Sequence, residues 1–282
     1  MDYFIKKRVN FLDGIFNLFS LTNWLILINL VVFVLSLIVI GVIGEEKFSL
    51  LFTLQANSFF SGSIWTPLTS MFLHAGPGHL LANMVSLFFL GNLVEKIIGR
   101  KRFFWLYILS GIFAGIFYSV LAYYFGFGIG ERLFGSPLTF AVGASGAIFA
   151  LLGVLAVLIP KGKVYLIMGP LVAIVVEAIL LNLYPDFVFM GVLNLIVNAY
   201  IIVSILLIFS GSKLIKIAIP WEMPFWVLPF IAIIPLVIIG LVFPLPIGNS
   251  AHLGGLIGGL GYAYYLKKKY KRKINSLQRY FR

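Results

Sequence analysis

Runs of about 20 apolar residues without an interrupting charge recur along this chain, and they leave the backbone few options. In a hydrocarbon layer roughly 30 Å thick, every N–H and C=O must find a partner within the protein, so only helices and closed barrels can span it. A helix rising about 1.5 Å per residue needs about 20 residues to cross. That ruler finds eight candidate spans, at 23–44, 78–98, 103–125, 145–160, 164–183, 188–209, 225–243 and 249–266. With 61% hydrophobic and 11% charged residues and a mean hydropathy of +1.08, the chain reads as an all-α polytopic membrane protein. It has no cysteine, which removes disulfides, thiolate metal sites and cysteine nucleophiles.

The basic residues orient the spans. With a cytoplasmic N-terminus the inside set is Lys6, Lys7, Arg8, Lys96, Arg100, Lys101, Arg102, Lys161, Lys163, Lys213, Lys216, Lys267, Lys268, Lys269, Lys271, Arg272, Lys273, Arg279 and Arg282. Of the 21 basic residues only Lys47 and Arg132 then fall outside. This is the asymmetry of the positive-inside rule, and removing any one span scrambles it. The reading is therefore a multi-pass protein of the plasma membrane with both termini cytoplasmic. The net charge of +12 follows from orientation and does not call for nucleic acid; the tail at 267–282 is a basic anchor near anionic lipid. Residues 1–22 carry Lys6, Lys7 and Arg8 ahead of Phe11 to Phe19 and no small-residue cleavage site, so they are expected to be a retained interfacial segment. The segment 45–77 is long and aromatic and is expected along the outer interface, and 126–144 is expected to be irregular.

Counting inward from the lysines gives depths. Ser145 opens the fourth span and lies roughly 22 Å above the inner interface, and His252 in the last span lies about 21 Å above it. In the second span, Asn83 lies at roughly 20 Å and His79 at roughly 25 Å. Each alone is ordinary interhelical glue. Four polar groups at one shallow depth near the outer face are a different matter, because such groups are costly within a membrane and mark functional sites.

A serine hydroxyl becomes a nucleophile when a base takes its proton, and neutral histidine is the usual base near neutral pH. Ser145 and His252 supply that pair. The acids within the spans are Glu95, too far inward, and Glu177, which no motif ties to the pair, so a dyad is expected and not a triad. The His79 and Asn83 side chains share a helix face, and the Ser145 backbone N–H opens its helix; together they form a candidate oxyanion hole. Close helix approach is expected from Gly254, Gly255, Gly258 and Gly259 facing Gly146, Ala147, Ala150 and Gly153.

These residues resemble the rhomboid family of intramembrane serine proteases. The resemblance rests on Gly143-Ala144-Ser145-Gly146, on His74, His79 and Asn83 in their spacing, and on Ala251-His252-Leu253-Gly254-Gly255 with Gly259. Trp65 looks like the tryptophan of the family's first outer loop, and Glu95 like its glutamate near the inner end of the second helix, with a structural role implied. The resemblance implies that Ser145 attacks a substrate peptide within single-span or multi-span membrane proteins, that His252 is base and then acid, that His79, Asn83 and the Ser145 amide bind the oxyanion, and that His74 is structural. It implies no cofactor and no metal, and it leaves the oligomeric state open. The sequence departs from the pattern at Thr66, where arginine is usual, and at Phe149, where the family often has tyrosine. Spans five and six, 164–209, look like a two-helix insertion into a six-helix rhomboid-like core, so the chain divides into 1–22, a membrane domain at 23–266, and 267–282. Two other readings compete. A catalytically silent client-binding relative is disfavoured by the intact Ser145, His252, His79 and Asn83. A transporter is disfavoured because the polar residues cluster at one face and no internal repeat is seen.

Overall fold

The computed structural model of this protein describes residues 19–184, 188–210, 213–242 and 248–281. The expected interfacial segment 1–22 therefore lies outside the described residues except for its last four. Helix α1, Leu21–Ile43, is followed by three short helices of the outer segment: α2 (Glu45–Phe52), α3 (Ala56–Phe60) and α4 (Thr66–Thr69). Then come α5 (Pro77–Ile98), α6 (Arg100–Phe125), the short α7 (Ile129–Phe134) and α8 (Ser145–Leu158). Strand β1 (Lys163–Ile167) leads into α9 (Met168–Leu183) and α10 (Met190–Ser210), and strand β2 (Pro220–Pro224) leads out. Helices α11 (Leu228–Val242), α12 (Asn249–Lys269) and α13 (Lys271–Tyr280) complete the chain.

Among the described residues four helices are long and apolar enough to cross a membrane: α1, α5, α6 and Met190–Leu207 of α10. Helices α8 and α11 are apolar but shorter. Helix α8 ends early because Ile159 leaves the helical region at φ −135° and ψ 59° and Pro160 cannot continue a helix.

The all-α expectation fails at one place. Residues 163–167, which the apolar ruler assigned to the fifth span, form β1, which pairs antiparallel with β2 in the register Lys163 to Pro224 through Ile167 to Pro220. The helix of that span begins only at Met168. Val164 and Tyr165 favour extended backbone, and the prolines that bound β2 exclude helix on the partner side. The Lys163–Glu222 ion pair and a 2.6 Å bond from the Tyr165 hydroxyl to Glu222 Oε2 close the hairpin. The hairpin brackets α9 and α10, which bond to each other through Asn194 Nδ2 to Glu177 Oε1 at 2.8 Å. Midway along α10 the Tyr200 hydroxyl donates to the Ile217 carbonyl at 2.8 Å.

The core centres on α8, whose residues from Gly146 to Val154 are nearly all buried, packed between α12 and α6. Helix α5 carries a π turn at Leu87–Gly91, and beyond it Glu95 meets the start of α1. Its Oε1 accepts from the Leu21 N–H at 2.8 Å, and its Oε2 from the Thr22 N–H at 2.8 Å and hydroxyl at 2.7 Å. A carboxylate at a helix N-terminus satisfies orphan donors and complements the dipole. Glu95 is therefore a cap for α1.

Candidate active site

The loop before α8 is fixed from outside. Leu54 and Ala141 exchange both backbone bonds, at 3.1 and 2.7 Å, and the Gly143 N–H donates to the Ser70 carbonyl at 2.9 Å. Gly143 sits at φ +127°, where a side chain is strained, and a Cβ there would come within 2.9 Å of both His79 Nε2 and Cε1. The glycine thus lets the loop pass directly over the His79 ring and deliver Ser145 to the start of α8. No side chain caps that helix start, so its first N–H groups point free from Ser145 onward.

Ser145 Oγ lies 2.8 Å from His252 Nε2, although 107 residues separate them in sequence. The approach is set by backbone. A Cβ on Gly255 would stand 1.9 Å from the Gly146 carbonyl oxygen, and one on Gly259 would stand 2.0 Å from that of Ala150. A Cβ on Gly153 would stand 2.8 Å from the Leu256 carbonyl oxygen and 2.9 Å from the Leu260 nitrogen, so α8 and α12 touch main chain to main chain along this stretch. Gly146 is needed on a second side, where a Cβ would meet that of Ala114 in α6 at 2.7 Å.

The His252 ring is held on its face by Phe149, with centroids 4.3 Å apart and planes 8° from parallel. Its other nitrogen, Nδ1, is buried without a hydrogen-bond partner among the described residues. Glu95 and Glu177 are both engaged elsewhere, and no carboxylate among the described residues bonds the imidazole.

The ring of His79 on α5 meets that of His74 edge to face at 5.2 Å. His74, in the loop ahead of the helix, has its pKa pushed down to about 4 by burial first and by His79 second, which keeps it neutral near pH 7. Asn83 is buried, and its amide donates to the His79 carbonyl at 2.9 Å. Trp65 is half exposed and donates from Nε1 to the Leu51 carbonyl at 2.8 Å, bonding within the outer segment. Thr66 is fully buried and bonds the Ser63 carbonyl at 2.7 Å, so the loop closes on itself at the position where the family usually has arginine. Among the described residues no three of His, Cys, Asp and Glu converge to hold a metal ion.

Residues 61–191 match the family model described as the Rhomboid domain. Just under half of the chain thus carries the pattern of the rhomboid family. It is 38% identical over 95 residues to the Putative rhomboid protease YdcA of Bacillus subtilis (strain 168), covering 33% of this chain and 41% of that protein. It is 29% identical over 158 residues to the Rhomboid protease AarA of Providencia stuartii, covering 52% of each. It is 40% identical over 90 residues to RHOMBOID-like protein 1 of Arabidopsis thaliana, covering 32% of this chain and 20% of that one. The matches thus span about half or less of these relatives' own lengths. With its long apolar helices, the chain is an integral multi-pass membrane protein, and its relatives are named as rhomboid proteases or rhomboid-like proteins.

The rhomboid match holds Trp65, His74, His79, Asn83, Glu95, Gly143, Ser145, Gly146 and Phe149, while His252, Gly255 and Gly259 lie beyond its end at 191. The fold brings the two groups together. Sequence reasoning missed Ser70 and Ala114, which position Gly143 and Gly146. Ser70 acts through its main-chain carbonyl, a group every residue carries, so no residue type announces it.

Proposed function

We propose that this protein is an intramembrane serine endopeptidase that hydrolyses peptide bonds in membrane-spanning proteins near the outer face of the bilayer. The observation that carries the reading is the 2.8 Å contact between Ser145 Oγ and His252 Nε2. Neutral His252 accepts the hydroxyl proton on Nε2 as Oγ bonds to the substrate carbonyl carbon, and its own proton sits on Nδ1. The resulting oxyanion is met by the uncapped Ser145 N–H, by His79 Nε2 beside Gly143, and by the Asn83 amide, which exchanges its bond to the His79 carbonyl for the intermediate. Imidazolium His252 then gives its proton to the leaving amine, and the C–N bond breaks. Water repeats the sequence on the acyl-enzyme, with His252 as base and Ser145 as leaving group.

The topology that goes with this function has eight spans and both termini cytoplasmic. Six helices make the rhomboid core (α1, α5, α6, α8, α11 and α12), and α9 with α10 is an insertion clipped off by the β1–β2 hairpin. The hairpin supports the insertion because it returns the chain to within one strand spacing of where it left. A substrate enters as unwound backbone, since only an extended chain can lie against Ser145 at the start of its helix.

The test is cleavage of a single-span reporter in vesicles by wild type, Ser145→Ala and His252→Ala. Cleavage by wild type alone, with both variants folded, is expected. Cleavage that persists in Ser145→Ala contradicts the reading, and its absence from wild type favours a client-binding role.

A further inference from the structure

After Glu222 the chain has no carboxylate, and its basic residues are Lys267, Lys268, Lys269, Lys271, Arg272, Lys273, Arg279 and Arg282. The structure gathers all but the last on the end of α12 and on α13. Helix α13 has two unlike faces. Ile274 is buried, and Leu277 and Phe281 pack against the core, whereas Lys271, Arg272, Lys273 and Arg279 are exposed. The corner between α12 and α13 is fixed to α6 by Arg102, whose Nη2 donates to the Tyr270 hydroxyl at 2.9 Å while its guanidinium carbon lies 4.8 Å from the ring centroid.

The buried face of α13 lands on the inner end of α8. Because α8 stops short at Leu158, its last carbonyls need donors from elsewhere. Gln278 Nε2 supplies one, donating to the Val157 carbonyl at 3.1 Å. The nearby Ile159 and Pro160 carbonyls are met by the Gly162 and Trp226 N–H groups at 2.9 and 3.2 Å. Among these partners α13 alone reaches α8 through a side chain, where Gly162 and Trp226 use backbone N–H groups.

We propose that the exposed cationic face of α12 and α13 binds anionic phospholipid headgroups, and that this occupancy holds α13 against the inner end of α8, the helix that carries Ser145. An amphipathic helix with a basic polar face lies in the interface plane, and its cations are drawn to an anionic leaflet over about one Debye length. The two acids nearest this face in sequence and topology do not compensate it: Glu95 caps α1 and Glu222 pairs with Lys163. Without headgroups the crowded cations repel one another, and the apolar contacts, Gln278 and the Arg102–Tyr270 corner resist that repulsion. When α13 lifts, the Val157 carbonyl loses its donor, and Ile159, which lines one hollow with Gln278 and Phe281, is uncovered on that side. The headgroup site stands on the charge and the helix faces alone; its effect on catalysis rests on the proposed peptidase activity.

The experiment places the full chain in phosphatidylcholine vesicles with and without phosphatidylglycerol, and follows amide hydrogen exchange over 271–280 alongside reporter cleavage. In the wild type, anionic lipid is expected to slow exchange several-fold and to raise cleavage, and high salt is expected to erase both effects. A variant with Lys271→Gln, Arg272→Gln, Lys273→Gln and Arg279→Gln is expected to show neither, while Gln278→Ala keeps most of the slowed exchange and loses the gain in cleavage. Equal exchange in the two vesicles, or a lipid effect that survives in the four-fold variant, overturns the proposal. Protection by a soluble RNA oligonucleotide equal to that by anionic vesicles overturns the assignment to lipid. Slowed exchange in a wild type that cleaves nothing upholds the headgroup site and separates it from the peptidase reading.

Discussion

His252 commits one nitrogen to Ser145 and leaves the other buried without a partner among the described residues. Where a carboxylate stands behind such a base it fixes the tautomer; here the ring is fixed from its face, by Phe149. A stacked aromatic contact is worth about 0.5–1.5 kcal/mol, and the imidazolium formed during attack gains a cation–π term of comparable size, about 0.5–2 kcal/mol. Phe149→Leu is therefore expected to lower kcat about tenfold, the equivalent of ~1.4 kcal/mol, with KM little changed. Phe149→Tyr keeps the ring and most of the rate. Steady-state reporter kinetics decide this, and a Phe149→Leu enzyme as fast as wild type contradicts it. Ser145 and His252 were legible in sequence because depth along a helix can be counted from its charged end. The contact with Phe149 was legible only as a resemblance, since nothing in a sequence says which face of one helix meets which residue of another.

Between elements the decisive contact is main chain on main chain. Helices α8 and α12 approach so closely that a methyl group on Gly255 or Gly259 would overlap a carbonyl oxygen of α8. Backbone cannot swing aside as the tip of a side chain can, so the helices must part. Gly255→Ala is expected to destabilise the protein by at least about 1–3 kcal/mol, the usual cost of overpacking, and to separate Ser145 from His252. Thermal unfolding in detergent together with reporter cleavage checks this; an unshifted midpoint with full activity contradicts it. The glycine repeat and the small face of the fourth span were visible in the sequence as close-packing faces, but the second contact of Gly146, with Ala114 of α6, was not. The β1–β2 hairpin was invisible to the apolar ruler for a related reason: Val164 to Ile167 are apolar enough to read as membrane helix, and their pairing with 220–224 is a contact across more than 50 residues. Glu95 shows the reverse case. Its identity was plain, and its structural role became specific only when both oxygens were seen on the first residues of α1.

At the scale of the whole molecule, the chain brings residues from its outer segment, its middle and its last long helix to one depth. Helices α9 and α10 lie between α8 and α11 in the chain, and the β1–β2 hairpin pairs the strands that flank them. If α9 and α10 cross and return, cysteine accessibility mapping on this naturally cysteine-free chain will place 184–189 outside and 211–218 inside. The opposite pattern contradicts the eight-span topology. The all-α, multi-pass character was readable from apolar length because the bilayer imposes it, whereas the boundaries of the short helices depend on prolines and packing that the ruler does not weigh. The account as a whole stands on the claim that folding turns one hydroxyl into a nucleophile. Mass-spectrometric mapping of a fluorophosphonate adduct tests that claim most directly. The predicted result is an adduct on Ser145 in wild type that disappears in His252→Ala; an adduct on another residue, or one on Ser145 undiminished by loss of His252, contradicts it.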